Sequence, residues 1–254
     1  MKIADNRIDI FGVKYSCLDI EKGIDVIVNN IKTSSYVCFP SVYLILAANK
    51  DNLLQEIYNN SLITFIDSKS IEVYARLKGF RGAKNTSGYW LMEYLLQTEF
   101  THYFYGCNDK VLNVLEKKLL AKYPAARILG FKSPPQVELN EIYPNVVVQR
   151  DISLINRLKP DFVWIGISSP KQDYLMHHYQ KYLDSSIMLG VGAVFLYQAE
   201  IINKGPEFLK RLGLRSVWKL FQEPVRHGGK VFPGIAYFIY RVFKQEITSK
   251  IISR

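Results

Sequence analysis

The sequence of 254 residues has few cysteines and no long apolar run. Cys17, Cys38 and Cys107 lie far apart and form no CxxC pair, which argues against a disulfide framework and against a structural zinc site. No uninterrupted apolar stretch reaches the roughly 18 residues that suggest a membrane span. The N-terminus also lacks the basic and apolar regions of a signal peptide. We therefore expect a protein of the reducing cytoplasm, either soluble or peripheral to a membrane.

Several catalytic motifs are absent as well. No Asp-x-Asp pair occurs, so a divalent metal ion held by such a pair is not indicated. The histidines His102, His177, His178 and His227 lack metal-ligand spacing, and we expect the adjacent His177 and His178 on the surface of a helix. Gly-x-Ser-x-Gly and Ser/His/Asp patterns are missing, so hydrolase chemistry has no support.

Acidic residues are outnumbered by basic ones, and the formal net charge is +10. Such a charge indicates an anionic partner, whether nucleic acid, anionic lipid or a phosphorylated substrate. Ten Lys and Arg residues but only three Glu residues follow position 204, interleaved with aromatic and aliphatic side chains. This composition favours a helical segment lying on anionic lipid. The alternative is a pair of helices that packs on the main domain, and a nucleic-acid-binding role is disfavoured because no recognised motif for it occurs.

Short apolar runs alternate with segments of helical periodicity over the first 200 residues. This pattern predicts an α/β fold, a Rossmann-like and mostly parallel sheet with helices on both faces, followed by a basic helical C-terminal appendage. The boundaries that we predict are 1–204 for the α/β domain and 205–254 for the appendage. Predicted strands are Arg7–Phe11, Tyr36–Phe39, Leu62–Ile66, His102–Tyr105, Arg127–Leu129, Val146–Gln149, Phe162–Ile167 and Ile187–Leu189. Predicted helices are Ile20–Ile31, Leu53–Asn59, Ile71–Leu77, Tyr89–Gln97, Lys110–Lys122, Ile152–Leu158 and Gln172–Tyr182.

A polar ligand site is predicted after the strand that ends near residue 167. Gly166 would let the backbone approach a ligand, and Pro170 suits the first position of a helix. The helix N-terminus and Lys171 would then hold an anion such as a nucleotide diphosphate. A turn that merely caps the helix is the alternative.

Two other strand ends carry candidate residues. Asp67 follows an apolar run, where a carboxylate can take a proton from an attacking hydroxyl; the alternative role is the N-cap of the next helix. Gly106 and Cys107 form a strand-to-helix turn, which is a nucleotide-binding position in α/β folds but also an ordinary connection. We expect Cys107 to be buried and unreactive. In the basic tail, Arg226 could clamp phosphate with its planar guanidinium.

Taken in order, these segments resemble the WecG/TagA/CpsF family of bacterial glycosyltransferases over roughly Ile8 to Phe243. Ile167–Asp173 matches the family's Pro-Lys-Gln-Glu motif with Asp for Glu, and Ile66–Ser68 stands where the family has Ala-Asp-Gly. Gly190–Phe195 resembles its Val-Gly-Gly-x-Phe-Asp segment. Gly213–Arg226 is similar to its C-terminal appendage.

The resemblance implies transfer of a sugar from a UDP-sugar donor to a polyprenyl-diphosphate-linked saccharide, with inversion and with no metal or other cofactor. It implies a cytoplasmic protein that is peripheral on the inner face of the cell membrane and contacts anionic lipid through its C-terminal segment. A homo-oligomer is left open, and nucleic acid is not an expected partner. Asp67 would be the catalytic base. The expected donor or nucleotide-binding residues are Gly106, Cys107, Gly166, Ser168, Pro170, Lys171, Gln172, Asp173 and Gly192, and the expected acceptor or diphosphate residues are Ser87, Arg215 and Arg226.

The chain departs from the family pattern at several polar positions. Cys38-Phe39-Pro40 replaces Thr-x-Asn, Asn85–Trp90 replaces Arg-x-Thr-Gly-x-Asp, and Leu196 replaces a later Asp. These changes suggest a hexose or hexosamine donor other than N-acetylmannosamine. An alternative from another class is a catalytically weakened partner that binds membrane or lipid-linked intermediates and supports a second glycosyltransferase.

Overall fold

A computed structural model describes residues 6–135, 146–203, 205 and 233–244 of the chain. The strands, numbered along the chain, are β1 Arg7–Ile10, β2 Val13–Ser16, β3 Ser35–Cys38, β4 Ile63–Thr64, β5 Thr101–Gly106, β6 Arg127–Lys132, β7 Phe162–Gly166 and β8 Ile187–Gly190. The helices are α1 Ile20–Asn29, α2 Val42–Ala48, α3 Asn52–Asn60, α4 Lys69–Leu77, α5 Gly88–Leu95, α6 Asp109–Lys122, α7 Val146–Leu158, α8 Lys171–Tyr179 and α9 Val194–Gln198, and a further helix spans 233–244.

Six of the strands form one parallel sheet in the order β4-β3-β8-β7-β5-β6. The prediction of an α/β fold with a parallel sheet is therefore confirmed. The predicted strands and helices mostly agree with the structure to within one to three residues at each end, because alternation and helical periodicity both reflect which side chains are buried.

Side chains of the central strands alternate between two separate apolar cores, one on each face of the sheet. Tyr103 and Tyr105 belong to one core, whereas Phe104 between them belongs to the other. The same alternation divides Val163 from Trp164. Successive residues of a strand point to opposite faces, so a central strand with helices on both sides is apolar at most of its positions. Helices α2, α3, α4, α7 and α8 cover the first core, and α1, α5, α6 and α9 cover the second.

One predicted strand is wrong. Val146–Gln149 forms the first turn of α7 instead of a strand. Its β-branched residues suit a strand, but the segment continues directly into a helical pattern in which Asp151, Ile152 and Ile155 are buried. This spacing places all three on one face of a helix, so packing of that face overrides the local preference of a short β-branched run.

The first strand belongs to a hairpin that the sequence pattern did not predict. β1 and β2 pair antiparallel, and Phe11 and Gly12 form a two-residue turn with positive φ angles of 54° and 90°. Positive φ at both turn positions matches the twist of a hairpin. The Asp9 carboxylate accepts a 2.8 Å hydrogen bond from Gly12 N and so supports the turn.

Helix 233–244 packs on the α/β domain through one of its faces. Phe238 is 7% exposed and makes edge contacts with the rings of Phe11 and Tyr74, at centroid distances of 5.7 and 5.8 Å. Arg241 lies over the Phe11 ring and also donates to Asn49 Oδ1 at 3.3 Å. This helix therefore lies beside α2 and α4 and shares their core. Within the described ranges, no helix has the length and apolar character to cross a membrane.

Candidate active site

The carboxyl ends of the six parallel strands bring most of the predicted site residues to one edge of the sheet. At this edge β5 and β7 are neighbours whose onward connections run in opposite directions, since β5 leads to β6 at one side and β7 leads to β8 at the other. Such a point of divergence leaves a crevice in which α/β proteins bind ligands. Gly106 and Gly166 are register partners there.

Both of these glycines are required by packing. A Cβ atom on Gly106 would lie 2.5 Å from the carbonyl carbon of Gly166, and Gly106 has a φ of +144°. A Cβ atom on Gly166 would lie 2.2 Å from the Phe195 ring. The Phe195 ring therefore fills the space that a side chain at position 166 would need. Donor binding by the backbone of these two residues stays a prediction.

Cys107 continues from Gly106 and is tied to the neighbouring strand. Its N–H and its Sγ–H both donate to the carbonyl oxygen of Gly166, at 3.2 and 3.3 Å. The residue is half-buried and has a φ of 53°, so the expectation of a fully buried side chain is wrong. Asn108 then caps α6 by accepting from Val111 N at 3.0 Å.

The turn between β7 and α8 holds the residues of the predicted Pro-Lys-Gln motif. Pro170 occupies the N-cap position and α8 begins at Lys171. Pro170 therefore lies one residue before the first helical residue, a position that it was expected to occupy itself. Ser168 is exposed and Lys171 is half-buried, which places both at the surface of the turn. Their positions suit contact with a bound anion, and that contact stays a prediction.

Gln172 lies beneath this turn and is 3% exposed. Its Nε2 donates to Ser169 Oγ and to the carbonyl oxygen of Gly190, each at 2.9 Å. Its buried Oε1 accepts no hydrogen bond from any described residue. A Cβ atom on Gly192 would lie 3.4 Å from this oxygen, so Gly192 keeps the backbone of the β8 turn close to the amide.

Asp173 is the most deeply buried carboxylate of the site, with 1% of its surface exposed. Tyr58 donates to its Oδ2 at 3.3 Å. Burial raises the pKa of Asp173 to about 6, although hydrogen bonds with Ser169, Tyr58 and Cys38 act in the opposite direction. The carboxyl group therefore links α8 to α3 and to the end of β3.

Asp67 lies at the same edge, three residues beyond β4, and is half-buried. Ser68 occupies the N-cap position of α4, where its side chain makes no capping hydrogen bond, so the N-cap position considered for Asp67 belongs to its neighbour. The carboxylate lies near Tyr15: burial, and next the charge of Asp67, raise the pKa of that phenol well above its ordinary value. Tyr15 donates to the carbonyl oxygen of Pro40 at 3.2 Å, which connects Asp67 to the turn after β3.

Ser87 lies in a loop that is attached to the Asp67 segment. The N–H of Thr86 donates to the carbonyl oxygen of Ile66 at 2.7 Å. Ser87 then caps α5 by accepting from Tyr89 N at 3.2 Å. Residues 84–87, Trp90 and residues 19–21 line a cleft of about 150 Å³, which we call the Trp90 cleft.

Gly88 places the start of α5 over the sheet. A Cβ atom there would lie 2.9 Å from Val191 and 3.6 Å from the Phe39 ring. Phe39 follows β3 and Val191 follows β8, so the start of α5 covers the carboxyl ends of these two strands. No local sequence pattern predicted that Tyr15 lies near Asp67 or that Asp19 and Trp90 line one cleft, because these contacts join distant segments of the chain.

The prediction that His177 and His178 lie on the surface is wrong. His178 is 6% exposed and His177 is half-buried, with its Nδ1 3.4 Å from the hydroxyl of Tyr36. Helix α8 packs between strands and α3, so most of its circumference is covered. Burial lowers the pKa of both histidines.

The two arginines predicted to bind diphosphate, Arg215 and Arg226, lie outside the described residues. Among the residues that the structure describes, no three His, Cys, Asp or Glu side chains gather closely enough to hold a metal ion. The described part of the site therefore consists of Asp67, the β5 and β7 turns, the start of α8, Gly192 and the Trp90 cleft.

Comparison with known proteins shows the family of the chain. The chain is 23% identical over 208 residues to the N-acetylglucosaminyldiphosphoundecaprenol N-acetyl-beta-D-mannosaminyltransferase of Bacillus subtilis (strain 168), which covers 80% of this chain and 77% of the relative. The enzyme of the same name from Bacillus spizizenii is 21% identical over 164 residues, or 63% of this chain and 60% of the relative. The one from Staphylococcus aureus (strain MW2) is 23% identical over 120 residues, or 43% of this chain and 46% of the relative. Residues 8–251 match the model of the glycosyl transferase WecG/TagA/CpsF family, and the chain belongs to that family of glycosyltransferases.

Proposed function

We propose that this glycosyltransferase moves a sugar from a UDP-sugar to a polyprenyl-diphosphate-linked saccharide by a single, inverting displacement that needs no metal ion. The observation that carries the proposal is the position of Asp67, a half-buried carboxylate at the carboxyl edge of a parallel sheet. The relatives support the acceptor class, since their name specifies a sugar on diphosphoundecaprenol. The sugar transferred by this chain is left open, as the departures at Cys38, Pro40 and Leu196 alter polar family positions.

Asp67 acts as the general base in this proposal. Its carboxylate draws the proton from an acceptor hydroxyl while that oxygen attacks the anomeric carbon of the donor. The bond between the anomeric carbon and the UDP oxygen breaks on the opposite face, which inverts the configuration. The hydrogen bond from Thr86 N to the carbonyl oxygen of Ile66 holds the Asp67 segment, and a fixed base is effective because little ordering remains to be done in the transition state.

The donor diphosphate is proposed to lie at the β5 and β7 turns. Lys171 and the start of α8 supply positive charge for the developing UDP anion. Ser168 is exposed at the same turn, and Gln172 Oε1, which has no hydrogen-bond partner in the described part of the chain, suits a hydroxyl or N–H of the donor. Asp173 and Gly192 shape this pocket from below. Arg215 and Arg226 are proposed to complete it.

Contact with an anionic membrane is proposed for the C-terminal segment. The outer side of helix 233–244 exposes Ile235, Ile239, Tyr240 and Phe243 to between 40% and 65% of their surface. Lys244 follows them, and the tail as a whole is strongly basic. Exposed aromatic and aliphatic side chains beside cations are typical of helices that lie in the lipid interface. The protein would then work peripherally at the inner face of the membrane that holds its acceptor.

The test uses Asp67→Asn, with Asp25→Asn on the exposed side of α1 as the matched control. Each purified protein is incubated with a panel of UDP-sugars and a synthetic polyprenyl-diphosphate saccharide, and UDP release and mass gain of the acceptor are measured. We expect Asp67→Asn to lower the turnover rate by about 10²- to 10⁴-fold while UDP affinity and melting temperature stay near wild type. Unchanged turnover in a folded Asp67→Asn protein would refute the general-base role, and no transfer by the wild type would refute the proposed reaction.

A further inference from the structure

The Trp90 cleft lies next to the proposed base but has its own chemistry. Thr86, which lines the cleft, is bonded to the carbonyl oxygen of Ile66, the residue directly before Asp67. The lining of the cleft is therefore bonded directly to the Asp67 segment, where the acceptor hydroxyl must lie in the proposed reaction. It is also separate from the β5 and β7 turns, since it lies at the starts of α1 and α5.

Size argues for a single sugar ring in this cleft. Its volume of about 150 Å³ is below the roughly 300 to 1,000 Å³ of pockets that enclose whole drug-sized ligands. A nucleotide sugar would not fit within it. One ring of a longer ligand would, with the remainder of that ligand outside.

The charged side chains that line the cleft favour an uncharged sugar ring. Of the described residues, two carboxylates, Asp19 and Glu21, line the cleft together with one cation, Lys84. Lys84 Nζ lies 3.8 Å from Asp19 Oδ2, so part of its charge is already balanced. A diphosphate would be repelled by the remaining carboxylate, whereas sugar hydroxyls donate readily to carboxylate oxygens.

Trp90 supplies the apolar surface that a sugar requires. Its side chain is 55% exposed, and the Tyr89 ring contacts it edge-on with centroids 5.6 Å apart. An indole held at the wall of a polar cleft offers a flat face for the C–H groups on one side of a pyranose, while hydroxyls at the ring edge meet polar side chains. Asn85, Thr86 and Ser87 are the neutral polar residues of the described lining.

We infer that Trp90 is the stacking platform for the sugar of the lipid-linked acceptor and thereby a specificity-determining residue of this chain. The inference rests on the proposed function, because it assigns the acceptor to the Asp67 side of the sheet and leaves the donor at the β5 and β7 turns. Stacking orients the ring so that one hydroxyl points toward Asp67. Trp90 does not take part in proton transfer.

The experiment compares Trp90→Ala and Trp90→Phe with Tyr94→Ala. Tyr94 is a good control because it is 52% exposed on the same helix but does not line the cleft. Binding is measured by calorimetry with two probes, an N-acetylglucosaminyl diphosphate carrying a short, water-soluble lipid chain and UDP alone. Steady-state transfer then gives separate KM values for acceptor and donor.

We expect Trp90→Ala to weaken binding of the saccharide probe, and to raise the acceptor KM, by about tenfold, the size of a lost aromatic contact. Trp90→Phe should recover most of the loss, and Tyr94→Ala should match wild type. UDP affinity and donor KM should change in none of them. Equal probe binding by wild type and Trp90→Ala, a loss confined to UDP, or no probe binding by the wild type would overturn the inference. Because probe binding does not require turnover, an absence of sugar transfer by the wild type contradicts the proposed function alone.

Discussion

Replacing Gly106 by Ala tests the contact between the β5 and β7 turns. The new Cβ atom would lie 2.5 Å from the Gly166 carbonyl carbon and 2.7 Å from its Cα and N atoms. All of these atoms are backbone, so no side-chain rotation relieves the overlap. Gly79→Ala is the matched control, because Gly79 also has a positive φ, of +91°, but a Cβ atom there would meet nothing within 4 Å.

The two substitutions separate backbone strain from steric overlap. Positive φ destabilises an alanine by about 1 to 2 kcal/mol, and the lower entropy of the unfolded chain returns about 0.4 to 1 kcal/mol. Gly79→Ala should therefore destabilise the protein by about 0 to 1.6 kcal/mol. Gly106→Ala adds overpacking against a fixed backbone, which costs a further 1 to 3 kcal/mol, roughly. We expect the two variants to differ by about 2 kcal/mol in the free energy of unfolding.

Thermal unfolding followed by circular dichroism measures the difference. For a protein of this size, about 2 kcal/mol corresponds to roughly 4 to 8 °C in melting temperature. Gly106→Ala should melt that much below Gly79→Ala and should also bind UDP more weakly, since the turn must open to accept the methyl group. Melting of both variants within about 1 °C of each other would refute the reasoning that a steric contact fixes this turn.

Three further predictions concern buried charges and the C-terminal helix. Burial raises the pKa of Asp173 to about 6 from 3.8, so between these pH values the folded state keeps a proton that the unfolded state loses. The free energy of unfolding of the wild type should therefore fall as the pH rises from 4 to 6, by up to about 3 kcal/mol. Asp173→Asn should remove this pH dependence, as measured by urea titrations. Burial acts to raise the pKa of Glu93, but hydrogen bonds from Lys122 and other donors lower it to about 2. Glu93→Gln should therefore destabilise the protein by about 1 to 2 kcal/mol at pH 7. The destabilisation should become smaller as the pH falls from 4.5 toward 2. Phe238→Ala should cost about 3 kcal/mol, while Ile239→Ala, at a side chain that is 49% exposed, should change stability by less than about 0.5 kcal/mol; thermal melts that rank these two the other way would contradict the described packing of the helix.

Most of the sheet could be predicted because the central strands are short and mostly apolar. Phe162–Gly166 has this character, and helices cover both of its faces. The order of the strands could not be read in the same way, since pairing depends on contacts between distant segments. The turn of Phe11 and Gly12 escaped prediction because it lacks the Asn-Gly or Asp-Gly signal that usually marks a two-residue hairpin.

The position of the candidate residues was predictable where a strand end is followed by a polar residue. Asp67 and the turn at Ser168–Lys171 have that form, and both lie at the carboxyl edge of the sheet. Burial of Asp173 and the histidines of α8 could not be predicted, because it depends on how closely α3 and the strands pack around that helix. The position of Trp90 beside Asp19 is a matter of tertiary structure alone.

Helix 233–244 rests on α2 and α4, the helices that begin just beyond β3 and β4. A surface that held the outer side of this helix would consequently sit about one helix diameter, roughly 10 Å, from those two helices, whatever the rest of the molecule did. The proposed lipid-linked acceptor, held in that surface, would reach the protein from the β4 side of the sheet, whereas the turns proposed to bind the donor follow β7 and β5, farther along the sheet. In this proposal the two reactants would enter the site from different sides of the molecule.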